Sequence, residues 1–340
     1  MYVWAGEDAQ PSANGYFYQC ELGPDESLHG AWTAAQERLK TVSVGDRKEA
    51  IECELETVND NINYWATWAK ELKAKLEADT SKRQLPPILL PEECPPISIV
   101  TPTYNRRKLI DIAFHNLLWS DYPIEKIEWI VVEDSDDQAL SSSDKIVQFG
   151  EHAKGLQLRY IPLQGKRTVG EKRNIGCEAA TNEIILFMDD DDHYPPTSLR
   201  RRVAWLTKSP NAPSAVGCTM LAMYDLIKGT SAVNVPPWGL PLGARVSEAS
   251  LAFKKSFWEA RKFSAVGVAE GEAWLLGRES EFLEIPPQQL IVAFSHGGNC
   301  SSRKIPDSKP SCFWGFPPDY LKFIHGLAGV KVEMTTSKGH

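Results

Sequence analysis

The chain predicts an α/β fold, a mostly parallel central sheet flanked by helices and preceded by a helical hairpin, on three observations. Short runs of branched and aromatic residues recur at 97–101, 128–132, 158–161 and 184–188. Helical stretches alternate with them at the spacing of right-handed βαβ units. The fourth run leads straight into Asp189, Asp190, Asp191 and Asp192, so charge gathers at the carboxyl end of a strand, the edge where open α/β sheets bind ligands.

Composition narrows the function classes. With 340 residues and 42% hydrophobic content, the chain can bury a full core and hold one large domain or a domain with an appendage. The net charge of −8 argues against a nucleic-acid partner, which would be repelled without a local basic patch. Lys and Arg cluster once, between Lys166 and Arg173. Seven singly spaced cysteines form no disulfide framework and read as reduced, buried thiols. The amino-terminal residues lack a basic-then-apolar leader, and no apolar run approaches the ~20 residues a membrane span needs. The expectation is a soluble, cytoplasmic protein, with peripheral membrane association left open.

Residues 1–25 show no period. From Leu28, apolar residues at Trp32, Ala35, Leu39 and Val42 step by four and three, the stripe of a helix. Gly45 ends it, and Asp46 with Glu49 forms a capping box for the next helix. There Ile51, Leu55, Val58, Ile62, Trp65, Ala69, Leu72 and Leu76 continue the stripe. Two such helices predict an antiparallel hairpin that closes onto the main domain or onto a second copy as a homo-oligomer. Five prolines in 81–96 mark a linker, because proline lacks the amide donor that helix and sheet require. The organisation expected is thus an N-terminal region at 1–95, the α/β domain at 96–304, and a C-terminal extension at 305–340 that packs on it.

Within the α/β domain the first strand leads into the loop Pro102–Arg107 and a helix at 109–119. The second strand ends in Glu133, Asp134, Ser135, Asp136 and Asp137. After the third, Gly165–Gly170 opens a helix carrying Arg173, Asn174 and Ala180. Beyond Pro196, a helix at 197–206 presents Arg200, Arg201 and Arg202 as a solvated face. Residues 217–226 and 251–253 read as strands of a mixed half-sheet, separated by a Pro/Gly loop around Trp238. Acids followed by apolar residues at 269–278 open a helix, and 290–294 is the last strand, leading to His296, Gly297, Gly298 and Asn299. Four adjacent ionised carboxylates repel one another and call for a cation. A divalent metal gripping a diphosphate is the chemistry that suits them.

The order of VTPTYNR, VVEDSDD, GEKRN and FMDDDD resembles the nucleotide-sugar half of an inverting glycosyltransferase of the GT-A, family 2 type, over about Pro96 to Arg303. That resemblance implies a Rossmann-like GT-A sheet and metal-dependent transfer of a sugar from a nucleoside diphosphate, UDP above all, to the hydroxyl of a glycan or glycoconjugate acceptor. It implies that Thr101, Pro102, Thr103, Tyr104 and Arg106 wrap the base and ribose, with Asn105 capping the helix that follows. Asp134, with Glu133 as its rival, takes the base's ring N–H. Arg173 first and Lys172 second reach the base or diphosphate. Asp191 becomes the direct ligand of Mn2+ or Mg2+, Asp190 faces the ribose, Asp189 faces the metal's water, and His296 completes the metal or phosphate shell. Asp192 is left as a supporting charge or a helix cap. The family's base, an acidic pair that usually ends in Asp, falls here on Glu270-Gly271-Glu272, with Glu272 ahead of Glu270, and Trp274 is either an acceptor platform or core.

Two other readings have their own signatures. A nucleotidyltransferase would carry a glycine-rich loop after the first strand, and TPTYNRR has no glycine. A non-catalytic nucleotide-sugar or glycan binding and assembly protein on a degraded domain would not need the intact acids. The sugar and the acceptor are not written in any motif.

Overall fold

The computed structural model describes residues 87–237, 239–296 and 316–330, all within one compact unit. The expected helical hairpin, residues 81–86 of the proline-rich linker, Trp238, Gly297, Gly298 and Asn299 lie outside the described residues.

The strands are β1 (Ile97–Thr103), β2 (Ile127–Glu133), β3 (Gln157–Pro162), β4 (Ile184–Phe187), β5 (Ala215–Gly217), β6 (Leu221–Asp225), β7 (Ser231–Asn234), β8 (Ala252–Lys254), β9 (Phe282–Glu284) and β10 (Val292–Ser295). The helices are α1 (Asp111–Trp119), α2 (Ser143–His152), α3 (Val169–Ala179), α4 (Ser198–Lys208), α5 (Leu242–Arg245), α6 (Lys255–Ala260), α7 (Gly271–Leu275) and α8 (Pro318–Leu327). Seven strands form the main sheet in the order β3-β2-β1-β4-β8-β5-β9. The first four run parallel. β8 is reversed against both β4 and β5, and β9 runs with β5. A three-stranded sheet, β10-β6-β7, stands beside it.

Every residue of β1 and β2 is buried, as expected of central parallel strands covered on both faces. Their side chains alternate between two cores. Ile97, Ile99, Trp129 and Val131 face α1, α2 and α4, while Val100, Ile130 and Val132 join Phe187, Phe253 and Trp274 on the other side. α3 begins with a reciprocal cap, Glu171 N–H donating to Thr168 Oγ1 at 3.2 Å and Thr168 N–H to Glu171 Oε2 at 2.8 Å. It lies so close to β1 that a Cβ on Gly176 would stand 2.2 Å from Val100 Cγ1. A third core joins Tyr224, Leu226, Val292 and Phe294 of the small sheet to Phe316, Tyr320 and Ile324 on and before α8. Cys94, Cys177 and Cys218 are buried. No helix among the described residues is long and apolar enough to cross a membrane.

Three expectations change. The strand expected at 217–226 is two strands in two sheets, because the backbone leaves the ladder at Cys218, whose N–H donates to Ser250 Oγ at 2.9 Å. The three arginines of α4 do not share a solvated face, since successive helical residues turn by about 100°. Arg202 is fully buried and donates to the carbonyls of Phe187 at 2.8 Å and Leu251 at 3.3 Å, and Arg200 pairs with Asp121. The helix expected at 269–278 is five residues long, and Gly277 turns out of it at φ +73°, a conformation glycine adopts without strain.

Candidate active site

The carboxyl ends of β1, β2 and β4 converge. Thr103 closes β1 beside Glu133, which closes β2, and the acid loop leaves β4 directly. Thr103 Oγ1 donates to Asp190, which also lies 3.6 Å from Arg106 Nε. Arg106 Nη2 reaches Asp191 at 3.0 Å, and His296 Nε2 sits 3.0 Å from the same Asp191 oxygen. Two cationic or metal-binding groups from distant parts of the chain therefore meet on one carboxylate.

The first turns of α3 supply the next layer. Lys172 Nζ donates to Asp134 Oδ1 at 2.8 Å and to the Thr103 carbonyl at 2.9 Å, and the Arg167 N–H donates to Asp134 Oδ2 at 2.6 Å. Asp134 is thus fixed at the end of β2. Tyr104 presents its ring to Lys166 at 4.4 Å and its hydroxyl to Asp136. Arg173, over the Phe187 ring at 4.3 Å, donates from Nε to Glu270 at 2.7 Å and lies 3.2 Å from Asp189. Its Nη1 is buried with no hydrogen-bond partner among the described residues.

The acids differ in proton affinity according to their partners. Burial raises Asp189 above the usual carboxylate range, and burial with the neighbouring Asp191 charge pushes Asp190 up to about 7. Asp192 is raised well above the usual carboxylate range, by burial and then by Asp191. Burial works against the Asp191 charge too, but Arg106 and His296 outweigh it and hold Asp191 below its ordinary value. Burial likewise opposes the Arg173 charge, and Asp189 and Glu270 overcome it.

Among the sequence-nominated residues, several have prior engagements. Thr101 is buried in β1, accepting the Trp129 indole N–H at 2.9 Å, and Pro102 is buried beside it, so neither offers a side chain to a ligand. Asn105 caps no helix: α1 starts at Asp111, and Asn105 takes the left-handed conformation at φ 55°, which Asn tolerates. Glu133 accepts from Ser135, Ser141, Ser142 N–H and Tyr160 and is structural. Asp192 caps no helix and stays a supporting acid. It accepts the Phe294 N–H at 2.9 Å, while its carbonyl takes Asn116 Nδ2 at 2.8 Å, and so sews the acid loop to β10. Glu270 is 4% exposed and held by Arg173. Glu272 is exposed, and its carboxylate makes no hydrogen bond or ion pair among the described residues. Trp274 lies in the core against Phe253, Phe257 and Phe263, which removes it as an acceptor platform.

Other residues shape the loop without having been singled out. Tyr194 OH accepts the Asp189 N–H at 2.9 Å and donates to the Ala249 carbonyl at 3.0 Å. His193 pairs backbone with Val292 and side chain with Tyr320 OH at 2.7 Å. Asn116 carried a signal, a polar residue within the apolar face of α1. Arg202 did not.

For a metal, the structure brings together two protein donors, the Asp191 carboxylate and the His296 imidazole. Among the described residues no three His, Cys, Asp or Glu side chains form a closed cage. A short donor set suits Mg2+ or Mn2+, which take one or two carboxylates and complete their octahedron with phosphate oxygens and water. Arg173 Nη1 is thus an unspent donor beside the acids.

Residues 98–220 match the sequence model described as Glycosyl transferase family 2. This stretch is a family 2 glycosyltransferase domain. The chain is 31% identical over 111 residues to the poly(ribitol-phosphate) β-N-acetylglucosaminyltransferase TarS of Staphylococcus aureus, covering 32% of this chain and 18% of that protein. It is 28% identical over 98 residues to the GalNAc(5)-diNAcBac-PP-undecaprenol β-1,3-glucosyltransferase of Campylobacter jejuni, 29% of this chain and 30% of that one. The chain thus spans less than a third of the length of these curated relatives. Residues 1–349 of S. aureus TarS in complex with UDP-GlcNAc superpose with a TM-score of 0.47 at 20% identity, over 62% of this chain and 61% of that one. Glu248, Glu270, Glu272 and His296 all lie beyond the stretch matched to the family 2 domain.

Proposed function

We propose that this chain transfers a sugar from a nucleoside diphosphate sugar, UDP-linked, to a hydroxyl of a glycan or glycoconjugate acceptor by direct, inverting displacement. The observation that carries the reading is the meeting of Arg106, His296 and Asp191 beside Asp190 and Asp134, in a domain of the family 2 type. Asp191 and His296 would hold Mn2+ or Mg2+, which supplies positive charge to the diphosphate as it leaves. Tyr104 stacks the base, Asp134 accepts its ring N–H, and Asp190 turns from Thr103 to the ribose hydroxyls. Arg173 offers its unpartnered Nη1 to a diphosphate oxygen as a charge-assisted donor, kept in place by Asp189 and Glu270.

The attacking hydroxyl must give up its proton to a carboxylate on the acceptor side. The family resemblance nominates Glu272 and Glu270, the first exposed and the second committed to Arg173.

The test is calorimetric titration of UDP-GlcNAc, UDP-glucose, UDP-galactose and GDP-mannose with and without Mn2+, paired with release of free sugar. Mn2+-dependent binding of at least one donor is expected, and its Mn2+ dependence should be lost in Asp191→Ala. Unchanged affinity in that variant refutes the metal assignment. Absence of both binding and turnover with every donor refutes the transferase reading.

A further inference from the structure

Outside the matched stretch, one acid faces the site without any role in the reading so far. Glu248 opens the short turn Glu248–Ser250 ahead of β8. That turn is fastened to the acid loop: Tyr194 links the Asp189 N–H to the Ala249 carbonyl, and the Phe187 N–H donates to the Leu251 carbonyl at 3.1 Å. From the turn, Glu248 reaches across to α7, where Oε1 accepts the Gly271 N–H at 3.2 Å. A Cβ built on Gly271 would stand 3.1 Å from both Glu248 Cγ and Glu248 Oε1. The carboxylate of Glu248 therefore fills the room that a side chain at 271 would need. Glu248 keeps partial solvent access, whereas its neighbour Glu270 is buried against Arg173.

We propose that Glu248 is the base of the transfer, delivered from the β8 turn to the position between Glu270 and Glu272 that Gly271 leaves empty. The assignment rests on the glycosyltransferase reading above. In the step, the acceptor O–H bond breaks and its proton passes to the Glu248 carboxylate. The electrons of that bond let the oxygen bond to the anomeric carbon, whose bond to the diphosphate oxygen breaks, the pair leaving with the diphosphate. Glu270 and Arg173 are the charged groups that face Glu248, with Asp189 on the far side of Arg173. Burial and the Glu270 charge push Glu248 up to about 7, where a carboxylate is strong enough to accept a proton and still ionised near neutral pH.

The experiment compares wild type, Glu248→Gln, Glu270→Gln and Glu272→Gln, using Mn2+ with UDP for binding and Mn2+ with the UDP-sugar panel, water as acceptor, for turnover. Glu248→Gln is expected to bind UDP within about threefold of wild type while hydrolysis falls by about 10² or more, and to lose the decline in rate below pH 7. Carboxyl-carbon NMR of glutamate-labelled protein should show one resonance titrating near neutrality that vanishes in Glu248→Gln. A Glu248→Gln rate within threefold of wild type overturns the assignment, as does the loss appearing in Glu270→Gln or Glu272→Gln instead, or a Glu248 resonance that titrates like an ordinary carboxylate. Wild-type protein that fails to bind UDP with Mn2+ overturns the transferase reading itself, an outcome distinct from intact binding with an active Glu248→Gln.

Discussion

Replacing Arg173 by Met tests whether the site's internal charge balance is as tight as the geometry implies. The Arg173 side chain is 3% exposed and that of its partner Glu270 is 5% exposed. Their 2.7 Å contact excludes water. Met retains most of the packing over Phe187 but strands Glu270 in a dry pocket, and breaking a buried pair from one side costs about 3–5 kcal/mol. Asp189 adds less, because its side chain is 26% exposed and solvent screens it. At roughly 2–4 °C per kcal/mol for a domain of this size, the melting temperature should drop by roughly 6–20 °C. Adding Glu270→Gln should recover most of that, so a double-mutant cycle by urea denaturation should return a coupling of about 2 kcal/mol or more. Arg173→Met within about 1 kcal/mol of wild type, or a cycle without coupling, would refute the reasoning.

The close approach of α3 to β1 predicts that Gly176→Ala is destabilising by about 1–3 kcal/mol, because the new methyl meets a fully buried Val100; Val100→Ala in the same chain should relieve it, and equal melting of Gly176→Ala and wild type would contradict the packing. Burial, aided by the nearby His115, holds His193 down to about 3. A histidine kept neutral in the fold but protonated when unfolded contributes stability above pH 6.5 that is lost as pH falls toward 3, at about 1.4 kcal/mol per pH unit. Stability curves of wild type and His193→Gln should therefore converge on acidification through that window, and parallel curves would disprove it.

Much of the fold was legible because its central strands carry an unmistakable pattern. β1, β2 and β4 are continuous branched runs, and each was expected within two residues of where it lies. Asp134, Lys172, Arg173 and the acids were legible as charges at strand ends and at one helix start. What escaped depends on partners far along the chain. Nothing local distinguishes the buried Arg202 from its two neighbours, for its acceptors are made by β4 and by the segment before β8. Glu248 meets Gly271 across 23 positions, a contact visible only once both turns are in place. α8 did carry a local signal, Pro317 and Pro318 before Asp319, then Tyr320, Leu321, Ile324 and Leu327 on one stripe, which the aromatic composition of the tail obscured.

The clasp between His193 and Tyr320 spans 127 residues, and this sets a timetable. A ribosome that has passed Asp192 has already delivered all four acids, yet the partner that grips the residue after them has not been made. Contacts of such long separation form late. The parallel strands can thus assemble on the emerging chain while the acid loop waits for α8, and a polypeptide released before residue 318 would carry the four carboxylates without the clasp that sets their geometry.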